Sequence, residues 1–266
     1  MPRRLLIRPG AIGDFIVSLP ALEHLAQGCE YVEVWAAAQN LPLARFAHRT
    51  ASIVSSGLDA LEPDPERLRP FDEIYSWYGA ARDDFRDWAS RHSLPFRFFP
   101  ALPDGSCHAV DFYLKQVGAC PGASPRIACS REPGGFAVIH PFSGGRKKCW
   151  PLECFHELAS RLEQRMPVKW CAGPEEIIPG ITPVRIDDLY DLACWLATAD
   201  LYIGNDCGIT HLAAAVGTPV IALFGPTDPG IWAPRGPDVQ VIVDCSDHSF
   251  LSAAIGSSAA ARRAGP

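Results

Sequence analysis

LYIGNDCGITHLAAAVGTPVIALFGPTDP, residues 201–229, decides the reading of the whole chain. It opens as an apolar run of strand type over 201–203, breaks at Gly204-Asn205, and resumes with Ile209, Leu212, Ala213 and Val216 at helical spacing. Asp206 stands where an N-cap belongs, and Gly208 leaves the first helical turn without a side chain. Backbone N–H groups there can approach a bulky anion closely, and a diphosphate fits such a place. A second apolar run, 220–224, follows Gly217-Thr218-Pro219 and ends in Gly225-Pro226-Thr227-Asp228-Pro229. The pattern predicts two parallel strands joined by a helix, with a polar loop at the carboxyl end of each strand.

Working outward, 266 residues suffice for one large domain or two modest ones, and two is the expectation. With 24 Lys plus Arg against 30 Asp plus Glu the net charge is −6, which argues against a general affinity for nucleic acid or anionic lipid. Any anion site must therefore be local. The ten cysteines lack paired CxxC spacing and no secretory h-region opens the chain, so they read as reduced, cytosolic thiols. No apolar run approaches the ~20 residues that span a bilayer, and membrane contact is expected to be peripheral at most.

Residues 4–8 (RLLIR) form a strand candidate, followed by Pro9-Gly10-Ala11-Ile12-Gly13 and a helix carrying Ile16, Leu19, Leu22 and Leu25. Asp14 sits at the start of this helix, and Pro20 inside it predicts a bend. Further strands are expected at 31–36, 52–55, 71–77 and 96–99, with helices at 41–48, 81–91 and 108–117. The proline- and glycine-rich stretch 118–135 has neither period and marks the boundary: a first domain over 1–125, a second over 126–256. The second half restarts with a strand at 136–140, the loop HPFSGGRKKCWP (140–151), a helix at 152–165, a strand at 168–171 and a helix at 188–198. Beyond residue 229 come a last strand at 239–243, a short closing helix at 250–255 and a disordered tail at 257–266. Alternating strands and helices in both halves imply an α/β chain with two parallel sheets.

Three stretches resemble glycosyltransferase family 9, the heptosyltransferases. RPGAIGDFIVSLPAL (8–22) is similar to the family's N-terminal glycine, Gly-Asp, Pro-Ala pattern; Lys148-Cys149-Trp150-Pro151 to its Lys-x-Trp-Pro; and residues 206–229 to its Asp-Ser/Thr-Gly, His-Leu and GPTDP-like signature. Cys207 departs from the pattern, standing where a hydroxyl is usual. The resemblance implies a GT-B fold, two Rossmann-like domains facing a central cleft, with the acceptor on the first and a nucleotide sugar on the second. It implies Asp14, beside Gly13, as catalytic base. Ser143, Lys148, Cys207 and Gly208 would bind the donor diphosphate, Asp206 and His211 the donor sugar, and Glu175 or Glu176 the nucleotide ribose. The donor would be an ADP-linked heptose or related sugar, the acceptor a glycan or glycolipid, and neither a metal nor a resident cofactor is expected.

Each residue also has a plainer reading. Asp206 suits a helix cap, His211 a packed core histidine, and Arg146, Lys147 and Lys148 a solvated cluster. Asp14 suits a cap, a dinucleotide phosphate loop or a general base, and as a base it needs burial or substrate contact to raise a pKa of about 3.9. Gly10-Ala11-Ile12-Gly13 lacks the third glycine of a dinucleotide loop, which weakens an oxidoreductase reading. A nonenzymatic nucleotide- or partner-binding relative is the other alternative, and a sugar-nucleotide epimerase would share the architecture.

Overall fold

The structure, a computed structural model, describes residues 1–243 and divides the chain into units Met1–Ala123 and Ser124–Pro266. The division falls two residues before the boundary expected from sequence, within the stretch 118–135 that carries no regular element. The helix expected at 250–255 and the tail at 257–266 lie outside the described residues.

In the first unit the apolar core of RRLLIR makes β1 (Arg3–Arg8), followed by α1 (Ile12–Ala26), β2 (Tyr31–Ala36), β3 (Arg49–Ser52), α2 (Ile53–Ser56), β4 (Glu73–Ser76), α3 (Asp83–Arg91), β5 (Phe96–Phe98) and α4 (Ala109–Gln116). All strands pair in parallel, in the order β3-β2-β1-β4-β5. Side-chain alternation along central β1 sends Leu5 and Ile7 into a cluster with Trp35, Ile74, Phe85 and Trp88, and leaves Leu6, also fully buried, for the opposite face. Helices α1 and α4 pack on each other, and α1 runs unbroken through Pro20.

Two expected elements are corrected. Residues 41–48 are not a helix: the chain makes a 3-10 turn over Ala38–Leu43 and leaves it as turns. The strand expected at 52–55 lies earlier, as β3 over Arg49–Ser52, and the chain turns helical at Ile53. Ile53 and Val54 suggest a strand, but Ser52 Oγ accepts from Ser55 N (2.8 Å) and Ser55 Oγ from Ser52 N (3.0 Å). This reciprocal cap, closed by Gly57 at φ 72°, favours one helical turn over a strand.

The second unit contains β6 (Ala137–His140), α5 (Leu152–Leu162), β7 (Val168–Trp170), α6 (Leu189–Ala197), β8 (Leu201–Asn205), α7 (Gly208–Ala215), β9 (Val220–Phe224), α8 (Pro229–Trp232) and β10 (Val239–Val243). Its parallel sheet runs β10-β9-β8-β6-β7, so the strand order reverses between β6 and β8. In open α/β sheets ligands bind at the carboxyl ends of the strands flanking that reversal. Ile139, Phe155, Leu158, Ile203, Ile221 and Leu223 form the core on one face of the sheet. Residues 210–215 of α7 are all buried, so this helix is enclosed all round rather than on the single face its periodicity suggests; Ala213, Ala214 and Ala215 are small enough to allow it.

Candidate active site

Strands β6 and β8 lie side by side with His140 opposite Gly204, which places the loops after His140 and Asn205 together. Asn205, wholly buried, ties them: its Oδ1 accepts from Trp150 N (2.9 Å) and its Nδ2 donates to Pro141 O (2.8 Å). Both ends of HPFSGGRKKCWP are thereby held to the end of β8. Within the loop, Ser143 Oγ donates to Asp206 O (2.7 Å), and residues Arg146–Lys148 coil into a 3-10 turn that brings Lys148 Nζ to 2.7 Å from Asp206 Oδ2. The side chain of Asp206 is 6% exposed and that of Lys148 38%, so the carboxylate is the enclosed partner. Arg146 and Lys147 are exposed.

Asp206 is therefore not the cap of α7. The backbone stays extended through Cys207 (φ −154°, ψ 168°), which takes the N-cap position, and the Asp206 side chain is spent on Lys148. The first backbone bonds of α7 run from Thr210 N and His211 N to Cys207 O, so the N–H groups of Gly208 and Ile209 lie at the open helix end. His211 is buried, at 5% exposure. The glycine loop after β9 borders the lysine loop: a Cβ built on Gly225 lies 3.5 Å from Lys147 O. Asp228 caps α8 through Gly230 N (2.8 Å).

The two glutamates after β7 separate. Glu175 is exposed, whereas Glu176 folds back, accepting from Gly173 N (2.6 Å) and standing with Oε2 3.4 Å from His140 Nε2. The other ring nitrogen, Nδ1, is 3.6 Å from Cys207 Sγ, and Thr210 Oγ1 is 3.3 Å from the same sulfur. Burial works against a charged His140, yet the negative charge it favours on Cys207 and the Glu176 carboxylate outweigh burial and raise its pKa to about 9. Burial alone raises the Cys207 thiol, but the imidazolium beside it pulls it below its ordinary value. Glu176, raised by burial, is brought net downward by His140 and the Gly173 N–H.

In the first unit the order of strands reverses between β1 and β4, and the loop after β1 carries Gly10, Gly13 and Asp14. Asp14 is half-buried at the third position of α1, where Oδ2 accepts from Ala11 N (3.2 Å), so the cap role is realised. Gly10 has φ +119°, and a Cβ there would meet Asp14 Cβ at 3.0 Å. Arg8, 1% exposed, holds the loop from beneath by donating to Pro9 O (2.8 Å), Asp14 O (2.9 Å), Ser18 Oγ (3.1 Å) and Tyr113 OH (2.8 Å). Burial pushes the Tyr113 phenol up to about 12, which keeps it a neutral acceptor for Arg8. Asn40 Nδ2 donates to Gly10 O (3.1 Å). Beyond the carboxyl ends of β4 and β5, on the same edge of the sheet, lies a cavity of about 820 Å³ lined by Trp77, Arg82, Arg86, Phe98 and Leu102.

Sequence reasoning singled out neither Asn205, His140, Thr210 nor Arg8 for a site. An arginine ending an apolar strand, and an asparagine and a histidine ending others, were the available signals, because a buried polar side chain must find partners.

Residues 123–250 match the sequence profile of Glycosyltransferase family 9 (heptosyltransferase). The chain is 35% identical over 114 residues to lipopolysaccharide heptosyltransferase 3 of Escherichia coli (strain K12), a match that covers 37% of this chain and 33% of that relative. The aligned part thus spans about a third of the curated relative's length. In fold the likeness runs the length of the chain. A glycosyl transferase family 9 structure from Veillonella parvula DSM 2008 superposes with a TM-score of 0.70 over 95% of this chain and 89% of that one, at 16% identity. The E. coli heptosyltransferase WaaC with ADP gives 0.68 over 95% and 98%, at 18% identity. The two parallel-sheet units are those of the GT-B fold, and residues 123–250, just under half of the chain, are similar to glycosyltransferase family 9.

Proposed function

We propose that this protein is an inverting glycosyltransferase that moves a heptose or related sugar from an ADP-linked donor to an acceptor hydroxyl of a surface glycan such as lipopolysaccharide. The observation that carries the reading is the joining of Ser143, Lys148 and Asp206 to the open N-terminus of α7 at the reversal of the second sheet. A cation and unpaired backbone N–H groups suit a diphosphate, and the same groups steady it as a leaving group. Support for the donor comes from the heptosyltransferase relatives and from the fold shared with WaaC, whose structure holds ADP.

Asp14 acts as general base, taking the proton from the acceptor hydroxyl as its oxygen attacks the anomeric carbon and the nucleotide diphosphate departs. A single displacement inverts the configuration. Glu176 rather than exposed Glu175 has its carboxylate among the site's loops and is the one assigned to the ribose hydroxyls. The cavity past β4 and β5 is the acceptor-side space, its aromatic walls and two arginines suited to a phosphorylated sugar. Lys148 and the N–H groups of α7 do the work a metal ion would otherwise do, so turnover is expected to survive chelation by EDTA. Among the described residues no helix is long and apolar enough to cross a membrane, and the acceptor is reached by peripheral contact at most.

Thermal unfolding with ADP, UDP, GDP and NAD in large excess tests the donor, because a ligand at 100 times its dissociation constant adds about 2.7 kcal/mol. Stabilisation by ADP alone is expected. UDP or GDP in its place changes the donor, NAD alone favours an oxidoreductase, and silence from all four overturns the reading. Asp14→Asn is expected to abolish turnover while keeping ADP affinity.

A further inference from the structure

The mechanism leaves one nucleophile unused. Cys207 Sγ stands 3.6 Å from His140 Nδ1, and His140 Nε2 stands 3.4 Å from Glu176 Oε2, itself fixed by Gly173 N at 2.6 Å. Carboxylate, imidazole and thiol are thus arranged in series, each from a different loop: the end of β6, the turn after β7 and the start of α7. A base within reach of a nucleophile and oriented by a third group is the arrangement that activates thiols. We propose that Cys207 is a covalent modification site, a thiol that His140 and Glu176 activate toward the electrophilic sulfur of small disulfides, and that the resulting adduct blocks the diphosphate seat.

Cys207 is singled out by its surroundings. The other ionisable groups about its sulfur are Cys149 in the lysine loop, Cys171 after β7 and Tyr202 in β8, besides His140 and Glu176. Burial raises the Cys149 thiol, pushes Cys171 up to about 12 and holds the Tyr202 phenol well above its ordinary range, so these three stay protonated near neutrality. For Cys207 the imidazolium reverses the effect of burial. Cys207 is also partly accessible, whereas Cys171 is buried.

In the reaction the Cys207 sulfur attacks one sulfur of a disulfide RSSR. A Cys207–S–S–R bond forms as the R–S–S–R bond breaks, and RS⁻ leaves and takes up the proton that Cys207 had given to His140. The Cys207 sulfur is oxidised and the departing sulfur reduced, with no further reagent. That the adduct closes the diphosphate seat rests on the function proposed above, since Cys207 is the residue before the first N–H groups of α7.

The test uses the full chain, iodoacetamide as rate probe and oxidised glutathione as disulfide, each site being read by mass spectrometry of peptides. At pH 7 Cys207 is expected to alkylate at least tenfold faster than Cys149, to keep reacting at pH values where Cys149 has stopped, and to acquire glutathione. His140→Gln should bring its rate down to that of Cys149, and the milder Glu176→Gln should give an intermediate rate in a protein whose unfolding transition is checked. Equal rates for Cys207 and Cys149 in the wild type, or a Cys207 rate unmoved in both variants, overturn the activated thiol. Excess ADP should slow Cys207 at least tenfold. Fast alkylation that ADP leaves unchanged upholds the thiol and overturns the link to the diphosphate seat.

Discussion

Lys148 Nζ stands 2.7 Å from Oδ2 of Asp206, a contact made across 58 residues of sequence between the loop before α5 and the end of β8. The pair is asymmetric, because Asp206 is enclosed and Lys148 reaches solvent. Removing the cation strands a buried carboxylate, whereas removing the negative charge leaves a lysine that water can still solvate. Lys148→Met is therefore expected to destabilise the chain by about 1–3 kcal/mol, less than the 3–5 of a fully buried pair because Lys148 is partly screened. Asp206→Asn should cost under about 1 kcal/mol. Chemical denaturation of the two single variants and the double variant measures this. If both singles cost the same, the asymmetry argument is wrong. Only Lys148→Met should also weaken ADP stabilisation.

Gly10 has a different task. Its φ of +119° suits glycine, and the space beside it is filled by Asp14, whose Cβ and Oδ2 lie 3.0 and 3.1 Å from where a Cβ would be. Gly10→Ala should cost about 1–3 kcal/mol through strain and push Asp14 away from its cap. Turnover should fall while ADP binding is kept, since the second unit is untouched. Unfolding curves and steady-state rates together decide it; an ADP affinity that falls in step with turnover would contradict the separate roles.

Arg8 is nearly inaccessible and serves four oxygen acceptors, among them the backbone of Pro9 and Asp14. A lysine has neither the planar fork nor the donors for this geometry. Arg8→Lys is expected to lose about 2–4 kcal/mol, since more than one buried acceptor is left unmatched. Amide exchange at residues 9–14 should speed up more than exchange across β1, because those carbonyls are what Arg8 holds. Uniform acceleration would instead mark Arg8 as a general core residue.

Much of this fold was legible because each parallel strand is a short apolar run between turn residues: β2 and β10 begin and end where the sequence predicts. Errors arose where a local hydrogen bond outvoted the hydrophobic pattern, as when the Ser52–Ser55 cap turned a strand-like Ile53-Val54 into helix. At the site, Lys148, Ser143 and Asp206 were read from a family likeness and do come together, but the role of Asp206 as ion partner rather than cap needed the third dimension. His140 illustrates the limit. Its chemistry depends on Glu176 and on Cys207, the latter 67 residues away, and no window of sequence contains all three.

The Glu176 carboxylate gives a pH dependence with a defined sign. Its folded pKa lies below the ordinary value because His140 and the Gly173 N–H outweigh its burial, so the stability it contributes is complete above about pH 4.5 and is lost as pH falls through the folded value. Glu176→Gln should therefore unfold more easily than the wild type by about 1 kcal/mol near pH 6, with the gap closing toward pH 3. On the alkaline side His140, raised to about 9, contributes stability that is complete below about pH 6.5 and fades toward 9, while Cys207, lowered, has the opposite sign. The two contributions oppose each other across that interval, so the wild type should change less with pH there than either group alone would make it. Cys207→Ser removes the charge that most raises His140 and leaves burial opposed by Glu176 alone, so the imidazole should titrate below its wild-type value of about 9. Unfolding midpoints of wild type and Glu176→Gln from pH 3 to 7 check the acid limb, and an NMR titration of the His140 ring that Cys207→Ser leaves unmoved would mean that thiol and imidazole do not share a proton.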